Sequence, residues 1–195
     1  MGAKRRYNPG VNDQREGGKG VRLTPAGRVT RDAGVGDAPL VHALYLATPG
    51  YFDIISIPVP TLSEVETDLA TASRDHRRHA ELVFAPDELH LPEWALNDPQ
   101  SGRPVVGYLD YKLDYPEEGD ATVNLLLVHG QLQSRGVGRS CVADLERRLR
   151  ALGGIDRILA SIYGRNPRAQ RFWQALGYGF AIDARPLLDW YAKEL

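Results

Sequence analysis

From Gln133 to Gly138 the chain reads Gln-Ser-Arg-Gly-Val-Gly, placed between an apolar run, Val123 to Val128, and a stretch with helical periodicity. The pattern is strand, glycine loop, helix start. Glycines that lack a Cβ let a bulky ligand come against the backbone, and the N–H groups at the positive end of a helix dipole favour a phosphate. A ligand carrying a diphosphate is the expectation. Rival phosphate motifs fit worse: a dinucleotide fingerprint wants a third glycine where Cys141 stands, and no Gly-Lys-Ser/Thr follows for a Walker loop.

A second group lies downstream. Ile158 to Tyr163 is apolar and strand-like, and Asn166-Pro167 then open a helix, with asparagine a good cap and proline suited to the first helical position. Ala169, Phe172, Trp173 and Leu176 recur on one helical face, and Gly177 stands where the helix should stop.

The two blocks together, Leu126 to Gly138 with its Q-x-x-G-x-G spacing and Asn166 to Tyr178 with its N-x-x-A-x-x-F-x-x-x-x-G-Y spacing, resemble the GNAT superfamily of N-acetyltransferases. The resemblance runs from about residue 120 to 180. It implies an α/β (α+β) fold in which a mixed, mostly antiparallel sheet of six to seven strands is flanked by about four helices, with the fourth and fifth strands splayed apart. It also implies acetyl-CoA as co-substrate, no metal, and a primary amine on a small molecule or peptide as acceptor. The cofactor residues it implies are the main chain of Leu126, Leu127 and Val128 for the pantetheine arm, Gln133, Ser134, Arg135, Gly136, Val137, Gly138 and Arg139 for the diphosphate, and Asn166, Phe172 and Trp173 beside the arm. Arg135 is the first choice for a supporting cation.

The acceptor amine must lose a proton, and some superfamily members carry a glutamate on the fourth strand where this chain has Thr122. Asn124, one step along that face, is no base. Asp110, Glu117, Glu118, Asp120 and His129 lie near the same hairpin, and Asp110 is chosen as base. Where many members have Phe-Tyr, with the tyrosine protonating the departing thiolate, this chain reads Phe172-Trp173, so water, Tyr163 or Tyr178 is expected to act instead. The missing base leaves a second reading open, a noncatalytic acyl-CoA-binding regulator. Cys141, early in its helix but on the apolar stripe, is read as packing and not as a nucleophile.

Composition agrees with a single domain. At 195 residues with 43% hydrophobic and 25% charged, the chain can bury one sizeable core. The 24 basic and 25 acidic residues nearly cancel, which argues against nucleic acid or an anionic membrane as partner. One cysteine allows no intrachain disulfide and no apolar run reaches membrane-span length, so the expected location is cytoplasmic, as monomer or homodimer.

In chain order, residues 1–19 are expected to be a mobile tail and 20–195 the acetyltransferase domain. Val21 to Thr24 and Arg28 to Arg31 supply a first strand. Asp37 is expected to cap a helix carrying Leu40, Val41, Leu44 and Tyr45, ended by Pro49-Gly50. Tyr51 and Phe52 then fall in a loop as candidates for the acceptor pocket. Ser63 to Glu66 reads as a capping box for a second helix, and His76-Arg-Arg-His79 as a solvated turn. A hairpin of Pro104 to Leu113 with Thr122 to Val128 leads into a helix over Val137 to Leu152, with Glu146 on its wet face and Gly153-Gly154 as its stop. Phe180 to Asp183 and Leu187 to Lys193 are expected to close the sheet as a last hairpin.

Overall fold

The computed structural model describes residues 21–23, 29–85, 89–91, 95–183 and 188–194; the expected tail at 1–19 lies outside them. Among the described residues one sheet runs in the order β1 (Val21–Leu23), β2 (Val29–Asp32), β3 (Arg78–Phe84), β4 (Val105–Leu113), β5 (Asp120–Val128), β6 (Arg157–Tyr163), β8 (Leu188–Glu194) and β7 (Gly179–Asp183). The sequence before Asp32, read as one strand, forms the β1–β2 hairpin, which raises the count to eight. Neighbours are antiparallel except β5 and β6. Those two are joined by α4 (Val137–Leu152), the helix that a parallel crossover needs.

The sheet opens at one place. β5 pairs with β6 only from Asp120 against Arg157 to Val123 against Ala160. Beyond that point β6 continues to Tyr163 beside β8, while β5 continues to Val128 beside β4. The parting coincides with a bulge: Asp110 faces Leu125 and Tyr111 faces Val123, so Asn124 is the extra residue. A bulge bends its strand and strengthens the local twist, which turns the end of β5 away from β6.

Each face of the sheet carries its own core. On one, Val137, Cys141, Val142, Leu145 and Leu149 of α4 pack with Ile158, Ala160 and Ile162 of β6 and with Trp173 of α5 (Pro167–Gln174). On the other, α1 (Ala38–Leu46), α2 (Pro49–Ile55) and α3 (Leu62–Ala72) contribute Val41, Leu44, Phe52, Val65 and Leu69 against Leu82, Phe84 and Tyr108. Each helix hides one stripe, while the central strands β3 and β4 are buried on both sides, the usual way helices on two faces of a sheet enclose apolar surface.

Several expectations are corrected. Pro49 does not end a helix but opens α2 at a first-turn position, so Tyr51 and Phe52 are helical. The capping box of α3 is Thr61 with Glu64, two residues before the expected Ser63: the Glu64 carboxylate accepts from the Thr61 N–H at 2.7 Å, and Thr61 Oγ1 from the Glu64 N–H at 3.3 Å. His76 to Arg77 form a turn, but Arg78 and His79 begin β3, and His79 stacks on Tyr111 with centroids 4.8 Å apart. Glu146 is buried because β8 brings Lys193 Nζ to its carboxylate at 3.0 and 3.1 Å, while Leu152 at the end of α4 is exposed.

Asp37 is corrected too. Its carboxylate makes no cap to α1 but takes Arg31 through two bonds of 2.6 and 2.8 Å, and Asp98 takes the same guanidinium at 2.7 and 3.2 Å. Arg31 is 2% exposed, so both carboxylates are needed to hold its charge out of water. Burial pushes Asp98 upward, but Arg31, the Ser101 hydroxyl and the Gln100 N–H outweigh it and hold Asp98 down at about 2. Asp98→Ala should cost about 3 kcal/mol in urea unfolding at pH 6. A carboxylate with a lowered folded pKa stabilises above its unfolded value and loses that effect as pH falls toward the folded one. The deficit of Asp98→Ala should therefore be full at pH 5 and shrink between about pH 4 and pH 2.

Candidate active site

The wedge left between β5 and β6 continues into a cleft of about 850 Å³ that runs from the start of α4 to the α1–α2 segment. At one end, Gln133 Nε2 donates to the Val128 carbonyl at 2.9 Å and anchors the loop to the strand it leaves. Gly136 then takes φ +81° at the start of α4, a left-handed geometry that favours glycine. No side chain caps this helix, whose bonding begins with Ser140 N–H to the Gly136 carbonyl at 3.1 Å. The N–H groups of Gly138 and Arg139 lie ahead of that ladder, at the positive end of the dipole.

Gly138 sits where three elements converge. A Cβ there would stand 3.2 Å from the Phe172 ring and 3.9 Å from a Leu126 methyl. The cations that line the cleft are Arg139, Arg168 and Arg171, and an Arg168 Nη donates to Ser134 Oγ at 3.2 Å, so α5 reaches across to the loop. Arg135, the expected supporting cation, is exposed and does not line the cleft. Arg168 and Arg171 were missed, although their spacing of three on the helix after Asn166 places them on one face.

Of the other expected cofactor residues, Leu126, Leu127, Val128, Gln133, Ser134, Gly136, Gly138, Arg139, Asn166, Phe172 and Trp173 all line the cleft. Val137 does not; its side chain packs in the core. Asn166 is a helix cap, its Oδ1 accepting from the Ala169 N–H at 2.9 Å, and it borders the cleft as well. Trp173 is 5% exposed, wedged between Phe172 and Tyr178 with centroids 5.1 and 4.8 Å away, so most of its surface serves packing.

The far end is built from α1, α2 and the strand ends. Cβ atoms at Gly130, after β5, and Gly164, after β6, would stand 2.7 Å from the Ala47 carbonyl oxygen and 2.6 Å from that of Ile54. Glycine at both positions lets the segment from Ala47 to Ile54 lie across the open ends of the strands. Tyr51 lines the cleft there, its hydroxyl pushed up to about 12 by burial and by nearby Tyr163. Phe52 is instead 3% exposed in the core against Tyr45, a correction to its reading as an acceptor contact. On a helix, adjacent residues point to different sides.

Tyr163 lines the cleft and is half exposed, with a pKa raised by burial and then by Tyr115 and Asp110. Tyr178 does not line it: its hydroxyl donates to Glu146 at 3.3 Å inside the core, and burial beside that carboxylate drives its pKa up. Asp110 also lies behind the wall and not on it, 2% exposed, accepting from Arg78 Nε at 2.9 Å and Asn124 Nδ2 at 2.7 Å. Burial raises its pKa, and Arg78 and Asn124 oppose that rise. Asp120 is paired with Arg157 at 2.7 and 2.8 Å, His129 is buried with its pKa lowered by desolvation, and Glu117 and Glu118 are exposed. Thr122 donates its hydroxyl to the Tyr115 carbonyl. Among the described residues the polar side chains at the acceptor end are therefore neutral: Thr48, Asn124, Ser161, Tyr51 and Tyr163.

A model of the acetyltransferase (GNAT) family matches residues 53–178. An acetyltransferase from Thermus thermophilus is 36% identical and superimposes with a TM-score of 0.73 over 90% of this chain and 97% of its own. Two more distant structures share the fold. One is the acetyltransferase of Salmonella typhimurium that modifies the N-terminal serine of 50S ribosomal subunit protein L7/L12, 13% identical, TM-score 0.68, covering 89% of this chain and 99% of that one. The other is PaiA N-acetyltransferase of Thermoplasma acidophilum in complex with coenzyme A, 10% identical, TM-score 0.62, covering 86% and 99%. Comparison with curated proteins gives no match.

Asp110 offers a direct check on this geometry. In a carbon NMR titration it should protonate above the ordinary aspartate value of 3.8. Arg78→Met should move it further up, because the guanidinium that favours the charged form is gone while the burial remains. A titration at or below the ordinary value would mean that Arg78 and Asn124 outweigh the burial.

Proposed function

The chain belongs to the GNAT family of acetyltransferases, and from that premise we propose that it moves the acetyl group of acetyl-CoA directly to a primary amine of a small molecule or peptide. The observation that carries the reading is the wedge: a strand edge left open from Asn124 to Val128 that leads straight to the uncapped start of α4. In this reading the N–H groups around Gly138 and Arg139 hold the diphosphate, helped by Arg139, Arg168 and Arg171. The open edge of β5 takes the pantetheine arm in the manner of an added strand.

Consecutive N–H groups of a strand point to opposite edges, so one of Leu126 and Leu127 aims its N–H into the wedge. That donor is suited to polarise the thioester carbonyl, since a fixed dipole needs no reorganisation as charge develops. Holding the two reactants in one cleft supplies most of the remaining advantage by removing the entropy cost of their encounter. The neutral lining of the acceptor end leaves the amine proton to water. Cys141 packs in the core and does not line the cleft, which favours direct transfer over an acetyl-enzyme. Tyr163 is the one expected proton donor that borders the cleft, and it stands in for the missing helix tyrosine.

Calorimetry with acetyl-CoA tests the cofactor end. Gly138→Glu, which sets bulk and negative charge against the diphosphate, should weaken binding by about tenfold or more, and Arg168→Ala by about tenfold, with both variants folded. Parent-like affinity in Gly138→Glu would remove the diphosphate from this loop. Thiol release from acetyl-CoA across an amine library tests the reaction, and Trp173→Phe should keep most of kcat with whichever amine responds. A loss of several hundredfold in that variant, with affinity intact, would assign Trp173 to the chemistry. Intact mass after incubation with acetyl-CoA alone should show no adduct on Cys141.

A further inference from the structure

Asn124, the extra residue of the β5 bulge, borders the cleft at the point where the two strands part. Its amide is not free to turn. Nδ2 donates to Asp110 Oδ1 at 2.7 Å, Arg78 Nε donates to Asp110 Oδ2 at 2.9 Å with Nη2 of the same ion pair 2.8 Å from that oxygen, and Asp68 accepts from the guanidinium at 2.9 and 2.8 Å. An ionised carboxylate can only accept, so it dictates which end of the Asn124 amide faces it. Arg78, bound to that carboxylate on its other side, favours its ionised form against the burial that disfavours it. The carbonyl end, Oδ1, is thereby left for the cleft, and no hydrogen bond among the described residues reaches it.

We propose that Asn124 Oδ1 is the subsite for the acceptor nitrogen: it accepts an N–H of the neutral amine and so turns the lone pair toward a thioester carbonyl held along Leu126 to Val128. This rests on the acetyl-transfer reading and adds to it where the amine sits and what holds it. In the step the amine nitrogen bonds to the carbonyl carbon, the carbon–sulfur bond breaks with its electron pair on sulfur, and the nitrogen's surplus proton passes to water. Asn124 takes no proton; it orients. Asp110 and Arg78 touch no reactant and are positioning residues that act through it. The subsite selects nitrogen nucleophiles that keep an N–H, primary amines first, and gains nothing from an acceptor without a donor.

The test needs no identified acceptor. Coenzyme A alkylated on sulfur to –CH2–CO–NH–CH3 places an amide N–H near the acceptor position, and its methyl ester, –CH2–CO–O–CH3, lacks only that donor. Calorimetry on the parent should show the amide bound about five- to tenfold more tightly than the ester. In Asn124→Ala the preference should fall to within about twofold of unity while affinity for coenzyme A itself stays within about twofold of the parent. Asn124→Leu, close in shape, serves the same purpose if the alanine variant does not fold. Asp110→Asn, which removes the charge that fixes the amide's direction, should lower the preference with coenzyme A affinity again unchanged. An amide preference equal in the parent and in the Asn124 variants, or none in the parent, overturns the subsite. A parent that does not bind coenzyme A overturns the acetyl-CoA reading itself, so the two failures are told apart.

Discussion

The site depends on a hydrogen-bond ladder that stops. β5 and β6 share only four register positions, and past Val123 each follows a different neighbour, β4 on one side and β8 on the other. Both strands stay paired along their outer edges, so the gap costs little in backbone bonding, yet it leaves one inner edge open along Asn124 to Val128. Unsatisfied strand edges bind extended chains, and here the edge sits in a cleft closed at one end by helix α4 and at the other by the α1–α2 segment. Asn124 links the two halves of the problem: as the bulge residue it helps part the strands, and as a side chain it stands where they part.

Charge is used to make the surrounding frame specific. Arg31 is held between Asp37 and Asp98, Arg78 between Asp68 and Asp110, and Arg148 between Glu81 and Asp144. In each case one arginine satisfies two carboxylates from different elements. A guanidinium with five donors in a fixed fork can do this where a lysine cannot, and the desolvation cost of the buried members is offset only when both partners are in place. These arginines therefore register strands against helices. Arg78 has a further consequence, because its second carboxylate belongs to the residue that orients Asn124.

The parts of the site legible in the sequence are those set by local chemistry. Helix α4 begins at Val137 and ends at Leu152 as its periodicity requires, the Asn166 cap and the β4–β5 hairpin fall where expected, and eleven of the thirteen residues expected to hold a cofactor border the cleft. What could not be read depends on distant partners. Glu146 looks solvated on a helical wheel until β8 delivers Lys193, 47 residues on. Asp37 looks like a cap until Arg31 claims it, and the Arg31 pair with Asp98 spans 67 positions. Asp110, chosen as a base because it stands inside a strand of the hairpin beside Tyr108, lies behind Asn124 because the bulge shifts which side chain reaches the cleft. Tyr51 and Phe52 could not be separated until both were placed on a helix that turns one toward the cleft and the other into the core.

Amide hydrogen exchange at residues 124–128, with and without coenzyme A, tests most directly that the open edge of β5 is the binding surface. Slowed exchange at Leu126 or Leu127, whichever aims its N–H into the wedge, together with slowed exchange at Gly138 and Arg139, is the predicted result. Protection confined to the start of α4, with the edge of β5 exchanging as in the free protein, would contradict it.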